Sequence, residues 1–277
     1  MTSKRITAVL SKLAGMTKVN KERLRIVRAP GRANLIGEHT DYNEGYVLPC
    51  GVNKEIIIAA QPHKDEIVLH SVNLNATTKF SLRNIMFDPQ ERWGNYPRGV
   101  ANLLLKSGYK IDGMIGVIHS TIPMEAGVGS SAALEVATAI TFKLLYGIEI
   151  NPVHTALTCF RAETEFVRTS CGIMDQFASV LGQKNSFLFL DCRTLNHEYV
   201  KLPSKNLRIM LLNTMIRRSA ENILNRRKEE CLKALQIIKQ FKSTARALRD
   251  LSINDFEELK HHLPRTIRKR CQHVIDE

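Results

Sequence analysis

The sequence predicts an α+β fold of two domains, and three observations lead there. Strand-like runs crowd the first half of the chain, the helices that follow fall to one side of them rather than alternating with them, and 277 residues suffice for one large or two ordinary domains. Residues 5–15 read as a modest amphipathic helix. Residues 23–28 form a first strand that ends at Ala29-Pro30-Gly31. Further strands fall at 55–61, 67–71 and 77–82, before the pattern turns helical over 96–107. Met114-Ile115-Gly116-Val117-Ile118-His119-Ser120 is short, apolar and rich in β-branched residues, as a buried strand is. Beyond it, Leu134, Ala137, Ile140, Leu144 and Leu145 recur at helical spacing. Residues 151–167 give another helix, with Glu163 and Glu165 near its end, and residues 217–242 a long amphipathic one.

Between the strand at 114–120 and the helix after it lies Pro123-Met124-Glu125-Ala126-Gly127-Val128-Gly129-Ser130-Ser131. Ser130 or Ser131 is expected to cap the helix. The first N–H groups of such a helix lack internal partners and carry the positive end of its dipole, so an anion can lie against them if small residues leave the backbone open. Gly127 and Gly129 supply that opening. No Gly-Lys-Ser/Thr follows, which excludes a Walker loop, and the third glycine of a dinucleotide fold is missing. An ordinary turn whose glycines only relieve strain would look the same, so this stretch alone does not decide.

A second cluster is harder to explain by packing. Arg32, Asn34, Glu38, His39, Asp41 and Asn43 crowd into twelve residues, interrupted by Leu35-Ile36-Gly37. Polar groups this dense need partners when partly buried, and a polyhydroxylated ligand offers several at once. A solvated loop is the bland alternative, weakened by the flanking glycines and by the apolar Tyr46-Val47-Leu48-Pro49. A metal held by Glu38, His39 and Asp41 would have a spacing that matches no usual ligand pattern. Farther on, Asp175 sits near Gly172 among apolar neighbours. Such a carboxylate can cap a helix, or be held near a cation and used as a base toward a hydroxyl.

Composition narrows the classes. No stretch approaches the roughly 20 apolar residues of a membrane span, and Met-Thr-Ser-Lys-Arg lacks an apolar signal core, so a cytoplasmic protein without a membrane role is expected. Six cysteines lie far apart with no C-x-x-C pair and read as reduced thiols. The net charge of +13 is uneven, with 18 Lys and Arg against 9 Asp and Glu in residues 201–277. Glu221, Glu229 and Glu230 lie among those basic residues, as on a solvated helix face. With no aromatic interleaving, nucleic acid is not the expected partner.

Three stretches together carry a resemblance: Gly31-Arg32-Ala33-Asn34-Leu35-Ile36-Gly37-Glu38-His39-Thr40-Asp41-Tyr42-Asn43, the loop at residues 123–133, and Gly172-Ile173-Met174-Asp175-Gln176 with Phe187-Leu188-Phe189-Leu190-Asp191-Cys192-Arg193 behind it. The chain resembles the galactokinases, within the family of small-molecule kinases that also holds homoserine, mevalonate and phosphomevalonate kinases. The likeness runs from about residue 20 to the end of the sequence. It implies an N-terminal ribosomal-protein-S5-domain-2-like domain over residues 1–195 and a C-terminal ferredoxin-like domain over 196–277. It also implies transfer of the γ-phosphoryl of ATP to the C1 hydroxyl of α-D-galactose, by a monomer.

By position in those motifs, Asp175 is the base and Arg32 its cationic neighbour, and Glu38, His39, Thr40, Asp41 and Gly172 with Asp175 bind the sugar. Glu125, Ala126, Gly127, Val128, Gly129, Ser130 and Ser131 hold the triphosphate, and Ser131 and Glu163 hold Mg²⁺. Three departures stand out. Leu224 occupies the place of a tyrosine that touches the sugar, Glu125 replaces a glycine of the phosphate loop, and the family's third, glycine-rich motif is not in the sequence. The ferredoxin-like domain is therefore expected to be incomplete. The alternatives to an active galactokinase are a catalytically silent sugar- and ATP-binding relative or an inactive fragment.

Overall fold

The computed structural model describes residues 2–123, 126–204, 206, 209–212 and 220–277. The chain divides into two compact units: unit 1 comprises Met1–Gly31, Val52–Arg168 and Asp175–Leu181, and unit 2 comprises Arg32–Gly51, Thr169–Met174 and Gly182–Glu277. The units interleave along the chain, so the segment holding the polar cluster and the one just before Asp175 both count with the C-terminal residues.

Unit 1 is built on a five-stranded sheet. Its strands are β1 (Arg25–Asn34), β3 (Pro49–Pro62), β4 (Glu66–Ser71), β5 (Ala76–Ser81) and β6 (Met114–Ser120), in the order β1-β3-β6-β4-β5. Strand β6 runs antiparallel to β3, with Ile58 opposite Ile118, and parallel to β4, with Leu69 opposite Gly116. The parallel pair requires a crossover, made by β5 and the helix α2 (Asn95–Lys106). Alternation along the strands sorts the core. Ile56, Ile58 and Ala60 of β3 and Met114 and Ile118 of β6 face the main core, under α2, α3 (Ser130–Tyr146) and α4 (Pro152–Arg161). Ala59, Ile115 and Val117 point the other way, where α1 (Thr2–Met16) covers them with Val9 and Leu13. The helices are thus one-sided except for α1, whose apolar stripe finds its partner on the opposite face.

The first strand is longer than its residues suggest, because β1 runs through Ala29-Pro30-Gly31 instead of ending there. It lies at the edge of the sheet, where a missing proline N–H costs no ladder bond. The Pro30 carbonyl is taken up by the Ser179 hydroxyl at 2.8 Å.

Unit 2 holds a three-stranded antiparallel sheet of β2 (Tyr46–Val47), β7 (Ser186–Asp191) and β8 (His197–Lys201), in the order β2-β7-β8. Its helices α6 (Ala220–Ile238), α7 (Ile253–Leu259) and α8 (Arg265–Asp276) close on a core of Cys231, Ala234, Ile238, Leu248, Phe256, Leu263, Cys271 and Val274. The long helix expected from residue 217 begins, as described, at Ala220, and residues 217–219 lie outside the described residues. All six cysteines are free thiols. Among the described residues, no helix is long and apolar enough to cross a membrane.

Candidate active site

In unit 1 the expected phosphate loop leads straight into α3. Gly129, not Ser130 or Ser131, is the N-cap, at φ 72°, so the serines become the first two residues of the helix itself. A left-handed cap favours glycine over serine, which is why the capping expectation fails at this position. Gly127 is left-handed too, at φ 70°, with open space where a side chain would stand. On the protein side the loop is held close: a Cβ at Gly31 would lie 2.6 Å from the Val128 carbonyl oxygen. Ala126 to Ser131 belong to this loop and helix start, whereas Glu125 lies outside the described residues. A cavity of about 420 Å³ adjoins the helix start. Trp93, Tyr96, Leu74, Ile118, Ile122 and Leu134 give it apolar walls, and Ser130 and Ser131 line it as well. Sequence reading missed this cavity, since its walls come from five separated segments.

A buried acidic pair also belongs to unit 1. Helix α4, capped by the Asn151 side chain, runs on into a π-helical turn, Ala162–Val167, and Glu163 sits in that turn, 4 % exposed. Such turns recur at functional sites, because one extra residue re-aims a side chain. Glu135 of α3 is fully buried, and so is Gln176, next to Asp175 in the first turn of α5 (Met174–Leu181). The Gln176 amide donates to Glu163 Oε2 at 2.7 Å and to Glu135 Oε2 at 3.1 Å. Glu135 Oε1 and Gln176 Oε1 are buried without a hydrogen-bond partner. Burial, then the Glu163 charge, pushes the Glu135 carboxyl well above the usual carboxylate range. Neither Glu135 nor Gln176 was singled out from sequence as a site residue. A lone carboxylate on the apolar stripe of α3 was the available signal.

In unit 2 the polar cluster forms a tight loop after β1. Gly37 adopts φ 102° and His39 φ 69°. The Thr40 hydroxyl bonds the Gly37 carbonyl at 2.7 Å and the Tyr46 carbonyl at 2.5 Å, and Asn43 donates to the His39 carbonyl at 2.8 Å. The Asn34 amide holds the exposed Glu38 carboxylate at 3.0 Å. His39 Nδ1 lies 2.8 Å from the Tyr42 hydroxyl. Burial, reinforced by His273, Arg227 and Arg270, lowers the His39 pKa, so the ring is neutral near pH 7. Asp41 is packed against Gly172: any Cβ there would fall within its carboxylate. That contact joins two motifs 131 positions apart and explains the glycine.

The structure therefore brings Glu38, His39, Thr40, Asp41 and Gly172 into one unit, together with Arg32 at the half-buried end of β1. Asp175 and Glu163 belong to the other unit, with Ser131. Leu224 is half-buried on α6.

Two family models match stretches of this chain. The family model described as the galactokinase galactose-binding signature matches residues 16–62, and that of the GHMP kinases N-terminal domain matches residues 95–183. The chain is 40 % identical over 253 residues to a galactokinase of Roseiflexus sp. (strain RS-1), covering 91 % of this chain and 64 % of that protein. It is 40 % identical over 255 residues to one of Chloroflexus aggregans, covering 91 % and 65 %. The chain thus spans just under two thirds of the length of these relatives. A crystal structure of Lactococcus lactis galactokinase complexed with galactose superposes with a TM-score of 0.88 at 29 % identity, covering 98 % of this chain and 71 % of that one. Two family signatures fall on the two motif regions, and the relatives and the fold agree with both: over nearly its whole length the chain is similar to galactokinases of the GHMP small-molecule kinases.

Proposed function

We propose that the protein is a galactokinase, transferring the γ-phosphoryl of ATP to the C1 hydroxyl of α-D-galactose. The contact of Asp41 with Gly172 supports this most directly, because it joins the galactose signature to the motif that carries Asp175. The cavity walled by Trp93 and Tyr96 would take the adenine base, and the α3 N-terminus beside it the phosphates. Glu38, His39 and Asp41 would hold the sugar hydroxyls. In the tautomer in which Tyr42 donates to His39 Nδ1, the ring's Nε2–H would donate to a sugar oxygen.

Asp175 would receive the proton of the C1 hydroxyl as the bond from O1 to the γ-phosphorus forms and the bond to the ADP oxygen breaks. Direct abstraction and a looser path, in which Asp175 chiefly orients the hydroxyl, use the same residue. Arg32 would balance charge on the transferring group. Ser131 and Glu163 are the residues that would hold Mg²⁺, which when bound neutralises charge between phosphoryl oxygens. The donor set suits such a cation: two buried carboxyl groups share one amide, and Glu135 Oε1 has no partner.

A substrate panel tests the reading in the protein as its gene encodes it. ADP release from Mg·ATP is expected with galactose and not with mevalonate or homoserine. Tight galactose binding without ADP release would instead mark a silent relative.

A further inference from the structure

Helix α8 grips the sugar loop from outside the motif. Gly37 and His39 both hold left-handed backbone, which for a histidine is strained and persists only where its surroundings fix it. Four backbone groups of that turn bond to side chains. The Gly37 and His39 carbonyls are satisfied within the loop, by Thr40 and Asn43. The two remaining bonds reach α8: the Gly37 N–H donates to the Glu277 side chain at 2.7 Å, and His273 Nε2 lies 3.0 Å from the Glu38 carbonyl oxygen. The His273 ring also meets the His39 ring edge to face, with centroids 5.8 Å apart. The helix itself is anchored independently, by Cys271 and Val274 in the core of unit 2.

We propose that His273 and Glu277 are positioning residues for sugar binding: α8 locks Gly37, Glu38 and His39 in the strained turn that presents the Glu38 and His39 side chains to galactose. The proposal rests on the galactokinase reading. Neither residue needs to touch the sugar.

The test uses the His273→Ala and His273→Gln variants of the whole protein, with hydrogen exchange at the Gly37 and Thr40 amides and galactose titration by calorimetry. His273 does not bond the Gly37 amide, so faster exchange there in His273→Ala would report release of the turn rather than loss of an acceptor. Galactose affinity and KM should weaken about tenfold, the scale of one or two lost ordering hydrogen bonds, with kcat changed far less. His273→Gln, which keeps a donor near Glu38, should recover most of both. Unchanged amide protection, or full sugar affinity despite lost protection, would overturn the proposal. A wild-type protein that binds no galactose at all would instead sink the galactokinase reading, while the exchange data would still show whether α8 holds the turn.

Discussion

Two acidic clusters, one in each unit, hold buried carboxylates in opposite ways. In unit 2, Glu230 accepts from Arg227 at 2.7 Å, Arg270 at 3.0 Å and Arg226 at 3.1 Å. Burial works to raise its pKa, but the three guanidinium groups outweigh burial and bring it below its ordinary 4.5. In unit 1, Glu135 has Gln176, Glu163 and Asp175 acting on it, one amide and two acids, and burial leads in raising its pKa. The unit 2 cluster is closed: its charge is matched by the chain's own cations, and it ties α6 to α8. The unit 1 cluster gathers two buried carboxyl groups around one amide. Charge pairing thus sets the carboxylate in unit 2, whereas burial and a shared amide set the pair in unit 1.

The sharpest way to break this contrast is to remove one donor from each cluster. Gln176→Leu takes away the amide that serves both Glu135 and Glu163 and leaves buried carboxyl oxygens without it, so urea denaturation should show a loss of about 2–3 kcal/mol. Arg270→Ala removes one of three partners, itself about one-third exposed, and should cost less than about 1 kcal/mol. Equal losses would mean that the amide does not hold the unit 1 pair.

A smaller effect sharpens the contrast through pH. Glu135 keeps its proton in the folded state at pH values where the unfolded chain, near 4.5, has lost it. The folded state then binds more protons, and in chelator-treated protein stability should fall as pH rises from 4.5 toward the folded pKa. Glu230 has the opposite sign: its contribution is present above 4.5 and is lost as pH falls through its lowered folded value. Each slope is at most about 1.4 kcal/mol per pH unit. Glu135→Gln should flatten the limb above 4.5, and Glu230→Gln the limb below it. If both variants flatten the same limb, the two clusters are not opposites.

Much of this was legible in the sequence where chemistry is local. The strand-to-helix loop, the crowd of polar residues after Gly31 and the carboxylate at Asp175 are each contiguous, and their residue types mark them as candidates for a site. What stayed hidden depends on residues far apart. The cavity beside α3 draws on Leu74, Trp93, Ile118 and Leu134, and no window of sequence contains them all. Glu135 reads as an isolated polar interruption until α4 and α5 bring Glu163 and Gln176 against it. The two-residue β2 and the largely exposed β8 lack the apolar run that marks a strand and exist through pairing with β7. Strand β1 passes its proline because it is an edge, which only topology reveals.

Asp175 is proposed to serve the reacting hydroxyl of galactose, and single-turnover transfer measures that step without interference from product release. Wild type and Asp175→Asn should be mixed with galactose and Mg·ATP and quenched, with nucleotide affinity measured in parallel. The asparagine cannot take the hydroxyl proton, so transfer should slow by about 10²–10⁴-fold while ATP binds within about twofold of wild type. Transfer at comparable rates in the two proteins would contradict the role assigned to Asp175.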